Sequence, residues 1–566
     1  MKTKFKQLKK LQSSIIELLK KQEYQSIIKE ELKFDIETLD DSTLLYLFGT
    51  NRLALNDLGL AEKYLKKSIK INNNSAHAVA NLGMTYDKQE KFDESHKCYI
   101  NSIEIDPKHF EGHYNLAVSY AKTNDNENAI KHFEKALELN KNTRVLNKLA
   151  QTYADTEQYE NALKINSMSL ELNADDIESL NKKGMILISL ERFKEGVELF
   201  KKLIKISPKL CEAHFNLGVA YRGLGKIDEE TKCYETALKI DPNNPEANYN
   251  LSLYLLRNKN FKEGWKKYEY RMDTKLVDPV KRPNTNLPLW TPKDKNSRLF
   301  VWPEQGVGDC IFFASFLPEL KEKCQSLTCA VDERLVDLFK RSMPEIKFVS
   351  RDSTVFSNQF DHQLAIGSIP QFFRNEEKDF ENTPISYLKA DLEKSLELEK
   401  EIENTGKFTI GICWKSKTTV EKRKNIDLIN LMNSLKIPAK FVSLQYGDVE
   451  QEILEVKEKT GIDIVQCKSL DIFNDLDGLA SLMCACDIVV TIPNVNQTIA
   501  SALGIPTFLL TSNNPTFRWL TEGMDTMWHP NTKVFRQTKD GDWDKPIQEM
   551  SQVIINLIMQ LYQKQA

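Results

Sequence analysis

WPEQGVGDCIFFASFLP, residues 302–318, is the stretch on which the fold of this chain turns. An apolar run, RLFVW over residues 298–302, leads into Gly306, Val307, Gly308 and Asp309, and these into an amphipathic run over 311–320. Strand, glycine turn, helix is how α/β proteins bring a ligand against backbone amides: the turn admits close approach, and the first helical N–H groups have no partner within the helix. Asp309 stands in that turn with two open readings. It caps the helix, or it faces a substrate.

Outward from this stretch, short β-branched runs alternate with helical segments. LTCAVD (327–332) and IKFVS (346–350) join RLFVW as parallel strands of a first lobe. After a charged helical passage over 391–406, a second lobe is expected from FTIGICW (408–414), KFVSLQ (440–445), DIVQC (463–467), DIVVTI (487–492) and TFLLTS (507–512). Two such lobes place ligands at the carboxyl ends of their strands. Two turns there carry polar groups in excess of what folding needs. Lys415 and Ser416 follow the first strand, where a lysine meets either a phosphate or solvent. Asn494, Asn496, Gln497 and Thr498 open a helix; a helix start ringed with amides suits a pyrophosphate, whereas capping needs one side chain. Downstream, FRWL (517–520), MWHP (527–530) and VFRQ (534–537) bring aromatic and cationic groups to the same turn, or simply build core and ion pairs.

The other half of the chain repeats. AHAVANLGMTY (76–86), EGHYNLAVSY (111–120), EAHFNLGVAY (212–221) and EANYNLSLYL (246–255) align, and a small residue recurs at Gly49, Gly83, Ala117, Ala150, Gly184, Gly218 and Ser252. The spacing is that of the tetratricopeptide signature, in which a small residue lets two helices cross closely and a proline ends the second. The expected architecture is therefore an α-solenoid, a tetratricopeptide superhelix, followed by an α/β two-lobed domain with parallel Rossmann-like sheets. The expected boundaries are a helical cap over 1–41, about seven repeats over 42–275, a proline-punctuated linker over 276–297, lobes over 298–390 and 407–544, and a last helix, 545–566, packing back on the first lobe. Asn81, Asn115, Asn216 and Asn250 share one helical position, where a column of amides holds an extended peptide by its backbone or serves the repeat itself. Lys148 and Lys182 interrupt the column.

Composition excludes several classes. A net charge of -3, with 28% charged residues, provides no electrostatic ground for nucleic acid as partner. Ten scattered cysteines fit a reducing compartment. The first residues read as an amphipathic helix and not as an export signal, no run reaches membrane-spanning length, and a cytoplasmic location is expected. The sequence displays no acidic or His-rich ligand cluster, so no metal or other cofactor is expected.

Together, WPEQGVGDCIFFASFLPEL, GICWKSKT, FVSLQYGD, DLDGLASLMCACDIVV, ASALGIPTFLL, FRWL and VFRQ resemble the bacterial tetratricopeptide-containing glycosyltransferases, whose catalytic half is similar to the heptosyltransferases and has the GT-B fold. The asparagine column likewise resembles the ladder of the more distant O-GlcNAc transferase. The resemblance implies an inverting, metal-independent transfer from a nucleotide-sugar to a protein hydroxyl, some members acting on flagellin. It assigns Asp309 as the base, and Gly306, Gly308, Lys415, Ser416, Lys424, Gln445, Asn494, Asn496, Gln497 and Thr498 to the donor. Thr498 stands where relatives carry histidine, which removes a titratable group. A saccharide or lipid-linked acceptor, and a non-catalytic interaction scaffold with a decayed transferase domain, are the alternatives.

Overall fold

The computed structural model describes residues 2–274, 282–304, 306–353, 357–403, 407–416, 425–539 and 541–565. Lys424 and Gln305 fall outside them. The chain divides into two compact units, residues 1–230 and 231–566.

The first unit is built of antiparallel helix pairs. They run from Ser42–Ala54 with Leu58–Ile71 to the pair that begins with Cys211–Gly223. The recurring small residue does what its spacing predicts. A β-carbon on Gly49 would sit 2.8 Å from Leu65, one on Gly83 2.8 Å from the Tyr99 ring, and one on Gly184 2.3 Å from Phe200. A second periodic feature has no residue-type signature. The residue between the two helices is left-handed at Asn56, Glu90, Asn124, Glu157, Glu191 and Gly225, and only the last is glycine. Each such turn returns the next amide to a carbonyl five residues back, as in Asp57 N to Arg52 O (2.9 Å) and Lys91 N to Tyr86 O (3.0 Å). That bond satisfies a helix-end carbonyl and offsets the cost of the left-handed residue.

The same feature extends into the helical cap expected over residues 1–41. Gln22 is left-handed, φ 58°, one period before Asn56, and Glu23 N bonds Leu18 O at 2.9 Å. Helices Lys2–Lys20 and Tyr24–Glu31 are thus in phase with the array. The signature is hidden because buried Ile15 occupies the small-residue position.

The second unit contains two parallel sheets. The first has order β3-β2-β1-β4, from β1 (Arg298–Trp302), β2 (Ser326–Val331), β3 (Lys347–Ser350) and β4 (His362–Ala365). The second has order β10-β9-β8-β5-β6-β7, from β5 (Thr409–Ile412), β6 (Lys440–Ser443), β7 (Ile464–Gln466), β8 (Ile488–Thr491), β9 (Thr507–Thr511) and β10 (Thr532–Arg536). All pairings are parallel. β5, β8 and β9 are buried along their whole length, as strands covered on both faces must be. β4 (HQLA) and β10 (TKVFR) escaped the sequence reading because each is half polar.

Three segments at the edges of the expected domains pack against the α/β region. The last helix pair, Pro245–Arg257 and Phe261–Tyr268, belongs to the second unit. Trp265 is the anchor: its Nε1 donates to Arg374 O at 2.7 Å, and its ring meets Phe517 and Trp528 edge-on. The expected linker also packs, since buried Trp290 takes a backbone bond to Gln363 O at 2.9 Å. The final helix, Asp544–Gln565, does not seat on the first lobe. Its Ile547, Met550, Ile554 and Ile558 enter the core of the second sheet with Ile410, Phe508 and Phe535.

Candidate functional site

The turn after β1 and the turn after β8, far apart in sequence, converge. Gly306 caps helix Val307–Ala314, and Asn494 caps helix Val495–Ala502. A β-carbon on Gly308 would lie 3.7 Å from Thr498 Oγ1 and from Val495. Two helix starts therefore meet at the carboxyl ends of two parallel sheets.

Asp309 is not the cap. It lies in the first helical turn, partly exposed, and forms an ion pair with Arg518 from the 3-10 turn Phe517–Trp519. The Arg518 guanidinium stands 4.0 Å from the centre of the Phe312 ring, a cation–π contact that fixes it against the same helix. Tyr387 Oη donates to Ile311 O at 2.9 Å, closing another side of this wall. Buried His529 lies behind it, its ring stacked on Trp519 and 5.5 Å from Phe312. Burial, with help from Arg518, pushes the His529 imidazole down to about 3.

Glu304 lies in the opening stretch, where nothing in the sequence marks it as a structural residue. Its side chain is 3% exposed and chelates fully buried Arg271, with Nε to Oε2 at 2.5 Å and Nη2 to Oε1 at 2.8 Å. Glu304 Oε1 also accepts from Gly367 N at 2.7 Å. The pair binds the glycine turn to the last repeat helices, and an isolated arginine near a repeat end offers no sequence signal of that.

The amide-rich start of the second helix divides by role. Asn494 is the N-cap, accepting from Gln497 N at 3.2 Å, and its Nδ2 points to Cys413 Sγ at 3.1 Å. Asn496 and Gln497 turn inward: Asn496 Nδ2 donates to Leu444 O at 2.6 Å and Gln497 Nε2 to Ser501 Oγ at 2.9 Å. The ring of outward amides expected here is thus mostly core hydrogen bonding, as burial without partners would be costly. What faces the turn is backbone. Among the described residues the amides of Val495 and Asn496 have no acceptor.

Gln445 is likewise a clamp. Buried beyond β6, its Oε1 accepts from Trp414 N (3.0 Å) and Lys415 N (2.8 Å), and its Nε2 donates to Lys415 O (3.2 Å). The Lys415 ammonium pairs with Glu452, and Ser416 N donates to Asn425 Oδ1 at 2.9 Å. Beside this clamp, at the carboxyl ends of β6 and β7, lies a recess of about 200 Å³. Gln445, Tyr446, Gly447, Cys467, Asp471 and Phe473 line it. The Tyr446 and Phe473 rings stand 5.9 Å apart, and Arg334 donates to Phe473 O at 3.0 Å.

The asparagine column is partly engaged within the array. In the first unit, Asn81 Nδ2 donates to Thr50 Oγ1 and Asn216 Nδ2 to Asn181 Oδ1, both at 2.9 Å, tying neighbouring first helices together. Asn115 makes no side-chain hydrogen bond among the described residues. In the second unit, Asn250 bonds its own helix at Glu246 O.

Comparison with known proteins agrees with the helical half. Tetratricopeptide repeat families match residues 76–109, 110–142, 177–210 and 220–258. Over 305 residues, half of this chain, the sequence is 30% identical to Protein FlbA of Caulobacter vibrioides. Over 164 residues it is 25% identical to Anaphase-promoting complex subunit 3 of Schizosaccharomyces pombe. The chain spans half the length of the first relative and 24% of the second. Among solved structures, YrrB, a TPR protein with an unusual peptide-binding site, aligns over 33% of this chain and 96% of its own, at 22% identity and a TM-score of 0.30. MamA aligns over 30% of this chain and 93% of its own, at 21% identity and a TM-score of 0.29. No helix among the described residues is long and apolar enough to cross a membrane. The N-terminal region is thus a solenoid of tetratricopeptide repeats, followed by an α/β region of parallel sheets.

Proposed function

We propose that this chain is a cytoplasmic glycosyltransferase with a GT-B-like α/β half, which moves a sugar from a nucleotide-sugar to a hydroxyl of a protein brought by the repeats. The observation that carries the reading is the meeting of the Gly308 and Thr498 helix starts at the carboxyl ends of two parallel sheets. Free amides at Val495 and Asn496 suit a diphosphate. The recess lined by Tyr446 and Phe473 offers aromatic rings for stacking by a nucleobase. Asp309, held by Arg518, then takes the acceptor proton. The hydroxyl oxygen forms the new bond to the sugar's anomeric carbon, and the bond to phosphate oxygen breaks with its electron pair leaving on the nucleoside diphosphate.

Calorimetry against a panel of nucleotide-sugars, followed by donor turnover, tests this. The wild type should bind one donor class, and Asp309→Asn should keep that affinity while turnover falls by about 10²–10⁴. Failure to bind any nucleotide-sugar, or unchanged turnover in Asp309→Asn, refutes it. A second reading, an interaction scaffold, is favoured by the internal engagement of Lys415, Gln445, Asn496 and Gln497. It expects a donor that is bound and never turned over.

A further inference from the structure

Five of the eight histidines fall within residues 77–132, and folding brings some of them together although no local motif does. His109 precedes helix Phe110–Lys122 but makes no capping bond with its side chain. Its Nδ1 lies 2.7 Å from the buried Ser102 Oγ. Its Nε2 faces the other way, 2.8 Å from His77 Nδ1 and 3.8 Å from Glu111 Oε2. The three donor atoms lie within 4.8 Å of one another.

We propose that His77, His109 and Glu111 form a divalent-metal site of the zinc class, which clips the first helices of the second and third repeats together. Two imidazoles and one carboxylate are a common three-ligand set, and a tetrahedral ion with bonds near 2.0–2.1 Å sets its ligand atoms about 3.4 Å apart. The observed 2.8 and 3.8 Å straddle that spacing, so shifts of about half an ångström within side-chain rotamers close the site. Ser102 supplies the outer hydrogen bond that fixes the ring of a ligating histidine. His77 and Glu111 are exposed, which provides an entry path and leaves a fourth position for water or a partner's side chain. The carboxylate has an electrostatic part as well. Both helix starts point their positive ends here, and Glu111 offsets them. Glu111 is the counterpart of His77 one 34-residue period later, which is why the cluster cannot be seen in a linear reading.

Full-length protein, stripped with a chelator and dialysed against Zn²⁺, tests the site through bound metal per chain and through affinity by competition. His77→Ala and Glu111→Gln alter exposed side chains, so their folds should survive, as far-UV circular dichroism would verify. Each should bind one equivalent less than the wild type or bind it at least about tenfold more weakly, and Ser102→Ala should weaken binding by about tenfold. His132→Gln, in the neighbouring His113–His132 contact that lacks a carboxylate, should leave binding unchanged. Equal stoichiometry and affinity in wild type, His77→Ala and Glu111→Gln would overturn the proposal. So would a wild type that takes up no zinc, or loss of zinc in His132→Gln alone.

Discussion

Removing Glu304 should destabilise the α/β unit selectively. Glu304→Ala deletes the two bonds to Arg271 and leaves Gly367 N without its acceptor. Breaking a buried ion pair from one side costs about 3–5 kcal/mol, because the remaining charge has no water. Arg271 keeps Glu269 Oε1 at 2.7 Å, Tyr268 O at 3.1 Å and Ser368 Oγ at 2.8 Å, which puts the expected loss near the lower end, about 3 kcal/mol. The assay follows from the sequence. All seven tryptophans lie at or beyond residue 265, so urea unfolding followed by tryptophan emission reports residues 231–566 alone, while circular dichroism reports both units. With an m-value of about 3 kcal/mol/M, the emission midpoint should fall by about 1 M. The double variant Arg271→Met with Glu304→Leu should recover most of that loss, since no charge is then stranded. A loss under about 1 kcal/mol in Glu304→Ala, or a double variant no better than the single, refutes the reasoning.

Two further outcomes follow from packing and burial. The folded imidazole of His529 titrates at about 3 against an ordinary 6.5, so the unfolded chain binds more protons between those values. Stability of the second unit should therefore fall as pH drops through that window, by at most about 1.4 kcal/mol per pH unit for this group. His529→Phe should flatten the tryptophan-monitored slope; an unchanged slope would show that other groups set it. In the repeats, Gly184→Ala would place its β-carbon 2.3 Å from Phe200 and should cost about 1–3 kcal/mol. That loss should appear in circular dichroism without a change in tryptophan emission, because residues 1–230 contain no tryptophan.

Local chemistry made much of this protein legible. The small residues at Gly49, Gly83 and Gly184 announce close helix crossings because a single β-carbon decides whether the helices can approach. RLFVW and DIVVTI announce buried parallel strands because both of their faces must be apolar. The glycine turn announces a helix start. Polar side chains resisted the same treatment, since an amide or carboxylate reads alike whether it faces a ligand or a buried carbonyl. Asn496, Gln497 and Gln445 look like ligand groups and are core hydrogen-bond partners, while Glu304 looks like a surface residue and is buried against Arg271.

The sequence alone thus determined the repeat period, the parallel sheets and the two turns, all of which depend on spacing along the chain. Tertiary structure alone decided that Gly308 meets Thr498, that Asp309 pairs with Arg518, and that His77, His109 and Glu111 face one another. Each of these is a contact between residues brought together by packing, and its geometry is set by the burial of apolar surface elsewhere in the fold.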